Sequence, residues 1–375
     1  MSTSMQGDEQ PKPRSPLESE IRRLIRIAGP MPVSQYMTLC LAHPEHGYYM
    51  TREPFGTAGD FTTAPEISQM FGELVGLWAA AVWQSMGEPS SINLVELGPG
   101  RGTMMADILR AAKLLPPFYN AIVVHLVEAS PKLQAQQREK FAGGDKFIVW
   151  HRRLNDMPTA PGIFLANEYF DALPIRQAVR QADGWHERTV EIGENDELQF
   201  GLDPLPLGAF EETLPPAVRQ APIGSIFEWR SPREGMELGR RVARRGAGLV
   251  IDYGHTRSAV GETLQAVRSH RYAGILDAPG LADLSAHVDF EALETAIGGM
   301  GPRTEKITDQ GSFLHRLGIE ARAETLKAGA NARTRAEIDS AVARLTSMGE
   351  TGMGRMFKVL GFADRSFPPL PGFDG

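Results

Sequence analysis

Three glycines at alternate positions, Gly98, Gly100 and Gly102, follow an apolar run from 92 to 97 that carries an acid, Glu96, just before its end. A helical pattern starts at once, at Thr103. A buried strand that turns sharply into a helix aims the first helical N–H groups into a crevice. Glycine permits the turn because it lacks Cβ and tolerates positive φ. Such a turn suits a nucleoside with a charged or polar tail. The next apolar run, 121–128, closes on a second acid, Glu128, ahead of Ala129, Ser130 and Pro131. An acid there stands beside the same crevice and can accept hydrogen bonds from a ribose diol. The plain alternative is a tight strand–helix turn with no ligand and Glu128 as a solvated strand end. The spacing is G-x-G-x-G, against the G-x-G-x-x-G of dinucleotide sites, and no Lys-Ser/Thr pair follows to make a P-loop.

The elements that must hold these residues are legible around them. Strands are expected at 92–97, 121–128, 147–150, 162–167 and 248–253, with a last one at 355–362. Helices are expected at 103–113, 131–141 and 232–245. Apolar strands alternating with helices imply an α/β fold built on a doubly wound, mostly parallel sheet. Ahead of it, residues 1–16 read as a disordered tail, poor in apolar groups. Residues 17–90 read as a helical region with helices at 17–28, 33–42 and 66–86, plus a polar loop. The core is expected at 91–173, 231–254 and 350–365. A β-rich insertion at 174–230 and a helical one at 255–349, ending in a charged helix at 333–347, interrupt it.

Composition narrows the class. The 375 residues carry a formal charge of -7, which argues against a general nucleic-acid binder. The single cysteine, Cys40, rules out an intramolecular disulfide and suits a reducing compartment. The longest strongly apolar stretch, 74–83, is too short to span a bilayer, so no stable membrane insertion is expected. The polar start lacks a signal-peptide core, and a cytoplasmic location is the expectation.

The Glu-Leu-Gly-Pro-Gly-Arg-Gly element resembles motif I of class I S-adenosylmethionine-dependent methyltransferases. Further blocks narrow the resemblance to the MidA-like family: Gly59-Asp-Phe-Thr-Thr-Ala-Pro-Glu-Ile-Ser68, Ala166-Asn-Glu-Tyr-Phe-Asp-Ala-Leu-Pro174 and Val250-Ile-Asp-Tyr-Gly254. Two more are Asp283-Leu-Ser-Ala-His-Val-Asp-Phe290 and Thr308-Asp-Gln-Gly-Ser-Phe-Leu314. The resemblance runs from about residue 17 to the last strand. It implies a Rossmann-like seven-stranded sheet, S-adenosyl-L-methionine as cofactor and protein arginine methylation as activity. The family includes a mitochondrial complex I assembly factor, so the implied partner is a respiratory complex subunit.

Carried over by position, Gly98, Gly100 and Gly102 approach the methionine part of the cofactor and Glu128 holds the ribose, with Glu96, Pro99, Ala129 and Asn167 also expected to bind the cofactor. Asp60 and Thr62 belong to a polar loop that can fold over it as a lid, although the adjoining Thr63, Pro65 and Glu66 also suit an ordinary helix cap. Arginine is a delocalised cation and a poor nucleophile. Carboxylates that bind its guanidinium through paired hydrogen bonds orient it for in-line attack. Glu168 and Asp171 are the expected catalytic acids, with Asp252 third; alternatively, Glu168 caps a turn and Asp171 starts a helix. Glu168 stands where nucleobase and glutamine methyltransferases place a proline, which favours a cationic acceptor. His287 can shuttle a proton near neutral pH, while Asp289 beside it suits a helix cap. Cys40, His43 and His46 lack zinc-site spacing, so no metal is expected, and His46-Gly-Tyr-Tyr49 reads as an aromatic wall. Two other readings remain open here: a methyltransferase fold kept as a binding or assembly module without catalysis, and a NAD-dependent oxidoreductase.

Overall fold

The computed structural model describes residues 14–52 and 63–373. The expected tail therefore lies outside the described residues as far as residue 13, and so do Asp60 and Thr62. Helix α1 (Pro16–Ala28) starts where the Ser15 hydroxyl accepts the Glu18 N–H, and Leu17, Ile21 and Ile25 turn one face inward. Helix α2 (Val33–Ala42) stops at His43, the residue before a proline. The run 66–86 is not one helix. Ser68 is extended (φ −160°, ψ 138°) and its hydroxyl accepts the Met70 N–H, which separates the turn Ala64–Ile67 from α3 (Gln69–Ser85).

From there strands and helices alternate: β1 (Ile92–Leu97), α4 (Thr103–Ala112), β2 (Ile122–Val127), α5 (Pro131–Phe141), β3 (Ile148–His151) and β4 (Gly162–Asn167). Their pairings are parallel. Leu94, Val95, Val124, Leu126, Ile163 and Leu165 are all buried, as strands covered on both faces require. The chain then leaves this sheet for an antiparallel one made by β5 (Ile175–Gln181), β6 (Gly184–Ile192), β7 (Leu198–Pro206) and β8 (Ile226–Arg230), with Met31–Pro32 on the edge of β6. After α6 (Arg233–Val242), β9 (Ala247–His255) returns to the first sheet parallel to β4. Helix α7 (Phe290–Gly298) and helix α8 (Ala332–Thr346) precede β10 (Phe357–Ala363), which runs antiparallel beside β9.

The main sheet has nine strands, not seven. Its path is Arg303–Thr304, β10, β9, β4, β1, β2, β3, with Val288–Asp289 added along the end of β9 and Thr308–Asp309 along β10. Three of these are two-residue segments that satisfy backbone N–H and C=O groups at the sheet's margin. Pairing that short leaves no hydrophobic period to read.

Residues 255–349 also differ from expectation, since they hold a three-stranded sheet of Gln265–Arg268, Arg271–Ala273 and Asp283–Ser285. Its hairpin turns through Ser269 and His270 at φ 51° and 59°, residue types that lack the Asn-Gly signal of such turns. The region 17–90 splits between two cores. Leu17, Ile21, Val33 and Tyr36 pack with Ile175, Val190, Ala266 and Leu284 of the two antiparallel sheets. Phe71, Trp78 and Val82 of α3 pack with β1, β2 and α4.

One topological fact positions the site. From β1 the chain steps outward to β2 and β3, then returns to β4 on the other flank of β1. The carboxyl ends of β1 and β4 therefore part, and a crevice opens between the segments that follow them.

Candidate active site

The glycine turn leaves β1 at that crevice. Gly98, Gly100 and Gly102 have φ of 61°, 53° and 73°, in the left-handed region. A Cβ on Gly98 would stand 2.8 Å from the Tyr169 ring, and one on Gly102 would stand 2.9 Å from Phe141 of α5. Gly98 and Gly100 line the crevice, whereas Gly102 is required by packing on Phe141 and contributes no lining. Gln137 of α5, fully buried, donates to the Gly100 carbonyl at 2.7 Å and accepts from the Trp150 indole at 2.9 Å. Sequence reasoning missed this brace; its signal is a glutamine on the inward face of an otherwise polar helix.

Two chambers meet at Gly98, Gly100 and Glu168. The smaller, of about 30 Å³, is lined by Glu96, Pro99 and Asn167 and reaches Thr63 and Glu66. Buried there, Glu96 Oε2 and Asn167 Oδ1 have no hydrogen-bond donor among the described residues. Burial raises the Glu96 carboxyl to about 8, with Lys140 opposing. The larger chamber, of about 310 Å³, is walled by Leu41, Tyr49, Met50, Val127 and Leu133, with Glu128 and Ala129 at its side. Burial raises Glu128 to about 7, and its Oε1 accepts the Ser130 N–H at 2.8 Å.

S-adenosylmethionine fits this donor set. Its α-ammonium supplies the donors that the two orphaned acceptors, Glu96 Oε2 and Asn167 Oδ1, require. Its ribose diol can donate to Glu128, and the volume lies in the range of small-molecule sites.

The acid-bearing turn leaves β4 on the other bank. Glu168 adopts φ 50°, a left-handed conformation that is strained for a side chain of this kind. Its Oε1 accepts the Ala64 N–H at 2.9 Å and the Asn167 amide at 3.2 Å. Burial first, and Asp171 after the opposing Ala64 bond, raise this carboxyl to about 8. Asp171 is half-buried and raised to about 6 by burial, with Arg230 opposing. No helix follows it, for the chain turns directly into β5.

Asp252 has another task. It is wholly inaccessible, and its Oδ2 accepts the N–H groups of Tyr169, Phe170 and Asp171 at 3.1, 2.8 and 3.3 Å. Its Oδ1 takes its neighbour's, Tyr253, at 2.9 Å. The expectation that Asp252 meets substrate is corrected: its lone pairs hold the turn that presents Glu168 and Asp171. Burial and Asp171 push its carboxyl upward, and these N–H groups oppose that.

Arg230, at the end of β8, braces the same turn. Its guanidinium donates to the carbonyls of Leu173, His287, Asp171 and Ala286 at 3.1, 2.6, 3.1 and 2.5 Å. His287 lies beyond this brace, its ring edge-on to Tyr253 at 4.1 Å, and it lines a different cavity. Burial, with His255 and Arg230 adding, lowers its imidazole to about 4, so it is neutral at physiological pH. Asp289 caps α7 by accepting the Ala292 N–H. Tyr49 lines the larger chamber and donates its hydroxyl to Asp283 at 2.8 Å, a carboxylate that sequence reasoning did not single out.

A switch-point crevice with these acceptors and a glycine turn defines a nucleoside-cofactor protein of the doubly wound class. Comparison with known proteins then gives the family. A family model described as "Putative S-adenosyl-L-methionine-dependent methyltransferase" matches residues 74–307. The human protein arginine methyltransferase NDUFAF7, mitochondrial, is 36% identical over 348 residues, spanning 84% of this chain and 76% of its own length. The Drosophila melanogaster homolog is 36% identical over 397 residues, 94% of this chain and 87% of its own. A crystal structure from Burkholderia thailandensis, bound to S-adenosyl-homocysteine, superposes with a TM-score of 0.80 at 28% identity, covering 96% of this chain and 92% of that one. The chain belongs to this family of S-adenosylmethionine-dependent methyltransferases, and S-adenosylmethionine is its cofactor. The cytoplasmic expectation is corrected by the relatives, which are named as mitochondrial. Among the described residues no helix is long and apolar enough to cross a membrane.

Proposed function

We propose that this protein methylates an arginine side chain of a partner protein, a respiratory complex I subunit during assembly. The observation that carries the reading is Glu168, which lines both chambers, with the Asp171 carboxyl three residues on in the same turn, each raised by burial. The cation beside them, Arg230, spends its N–H groups on four carbonyls. The Arg230 donors in these bonds are turned away from the Glu168 and Asp171 carboxyls, and a substrate guanidinium supplies those carboxyls with paired donors. The relatives named as protein arginine methyltransferases support the same reading.

Glu96, Asn167 and Glu128 would hold the cofactor, which supplies a sulfonium-bound methyl electrophile. Glu168 and Asp171 then bind and orient the guanidinium so that one nitrogen lies in line with that methyl. As the N–C bond forms, the S–C bond breaks and its electron pair stays on sulfur. One N–H proton then leaves to water, so no strong base is needed. Asp252 and Arg230 hold the turn rigid and do not touch the acceptor.

The test is mass spectrometry of respiratory complex subunits from cells with and without this gene, paired with labelled methyl transfer by the purified protein. Loss of one arginine methyl mark, restored by the protein and a methyl donor, is the expected result. Unchanged marks and no transfer to arginine would overturn the reading.

A further inference from the structure

A second cavity, of about 640 Å³, lies past the end of β9, one strand over from Glu168. Its walls come from β8, from residues 210–215, from the loop 255–263 and from the start of α7. Two of these four belong to the antiparallel insertion, which the parallel sheet does not need for its own core.

The carboxylates in its wall are already satisfied. Glu228 accepts from Gln177 and from the Thr263 and Leu264 N–H groups; Glu291 accepts from Arg257 and the Ser258 N–H; Asp289 accepts from the Ser258 hydroxyl and the Ala292 N–H. A wall whose acids are paired off has little demand for a small ion. What it presents instead is apolar: Trp229, tilted against Phe210 with ring centroids 4.6 Å apart, and Val260, which is 38% exposed. The neutral imidazoles of His255 and His287 add polar edges that suit peptide amides.

The position links this cavity to the acceptor site. Arg230 lines it while bonding the carbonyls of Asp171 and Leu173, and Leu173 lines the cofactor chamber. One braced wall therefore separates the two spaces. For the residues flanking an arginine held at Glu168 to reach the second cavity, the chain would have to pass over this wall.

We infer that the second cavity seats the stretch of the acceptor protein that flanks the methylated arginine, with an apolar side chain against Trp229 and Val260. This rests on the arginine reading above. The size is that of sites burying a drug-sized ligand, enough for a short peptide segment. Its rim includes the exposed Ala292 and Thr295, so entry from solvent needs no opening of the fold.

The probes are short labelled peptides with a central arginine flanked by leucines, the same peptide with central alanine, and a glycine-flanked arginine control. Binding is read by fluorescence polarisation with S-adenosylhomocysteine present, and transfer is read with a labelled methyl donor. The expected wild-type result is a preference for leucine flanks of about tenfold or more, as an apolar subsite gives. The alanine-centred peptide should compete. Val260→Asp and Ala292→Trp, both at exposed positions, should each remove the preference through KM, with kcat and the glycine control within about twofold. Absence of the preference in wild type, or its persistence in both variants, overturns the inference. Leucine-dependent binding without methyl transfer to arginine instead leaves the cavity assigned and removes the arginine reading.

Discussion

The Ala64 N–H donates to Glu168 Oε1 at 2.9 Å across 104 positions of sequence. It ties the segment that leads into α3 to the acid-bearing turn after β4. The first residue of a helical turn therefore satisfies an orphan N–H with the acid expected to hold the acceptor.

That acid sets a pH dependence. Glu168 is raised to about 8 by burial and by Asp171, so its ionised fraction grows steadily from pH 6.5 to 8. If the carboxylate binds the guanidinium, kcat/KM rises over that interval and levels off only about one pH unit above the Glu168 value of about 8. In Glu168→Gln the rise should vanish, and kcat/KM at pH 8.5 should fall by about 100-fold, as loss of acceptor orientation gives. Calorimetric affinity for the cofactor should change little. Equal losses in affinity and rate would reassign Glu168 to the cofactor.

Asp252→Asn replaces an oxygen that accepts three backbone N–H groups with an amide able to match only some of them. Leaving buried N–H groups of this turn without an acceptor costs about 1–3 kcal/mol. Urea denaturation of the purified variant measures it. A loss under about 1 kcal/mol would mean that the turn does not depend on this carboxylate.

Gly98→Ala meets two obstacles at once. The left-handed φ of 61° costs an L-residue about 1–2 kcal/mol, and the added Cβ lies 2.8 Å from the Tyr169 ring. Cofactor affinity should drop about tenfold or more as the turn shifts. Titration calorimetry with S-adenosylhomocysteine tests this, and unchanged affinity would move the binding site elsewhere.

Stability without ligand should fall as pH rises from 6.5 to 8. Glu96, Glu128 and Glu168 are raised by burial to about 8, 7 and 8, so the folded protein keeps protons that the unfolded chain has already released. His125 and His287, lowered to about 4, act in the opposite direction, but only below about pH 6.5. Glu96→Gln should reduce the slope of melting temperature against pH in the upper window. A slope identical to wild type would show that Glu96 ionises freely in the folded state.

Much of the fold was legible because it rests on local patterning. Continuous apolar runs marked β1, β2 and β4, and the glycine spacing after β1 marked the turn. The two-residue strands at Val288–Asp289, Arg303–Thr304 and Thr308–Asp309 were not legible, for each forms only where a neighbour already offers unpaired backbone groups. The Ser269–His270 hairpin was missed for a related reason: tertiary packing, and not residue type, holds both in the left-handed region.

The site divides in the same way. Residue type and spacing marked the glycines, Glu96, Glu128 and a nucleoside-bearing ligand, because a close backbone approach and a carboxylate at a strand end are local requirements, while Glu168 was reached through the family resemblance. The sequence could not rank the acids. Asp252 lies near the carboxyl end of one core strand and Glu168 just past that of its neighbour, yet one is enclosed by four N–H groups and the other stands at the meeting of two chambers. Nor could it assign Gly102 to Phe141, or Arg230 to four distant carbonyls. Burial and hydrogen-bond partners are properties of segments brought together from far apart in the chain, and they set whether a carboxylate shapes the site or faces the substrate.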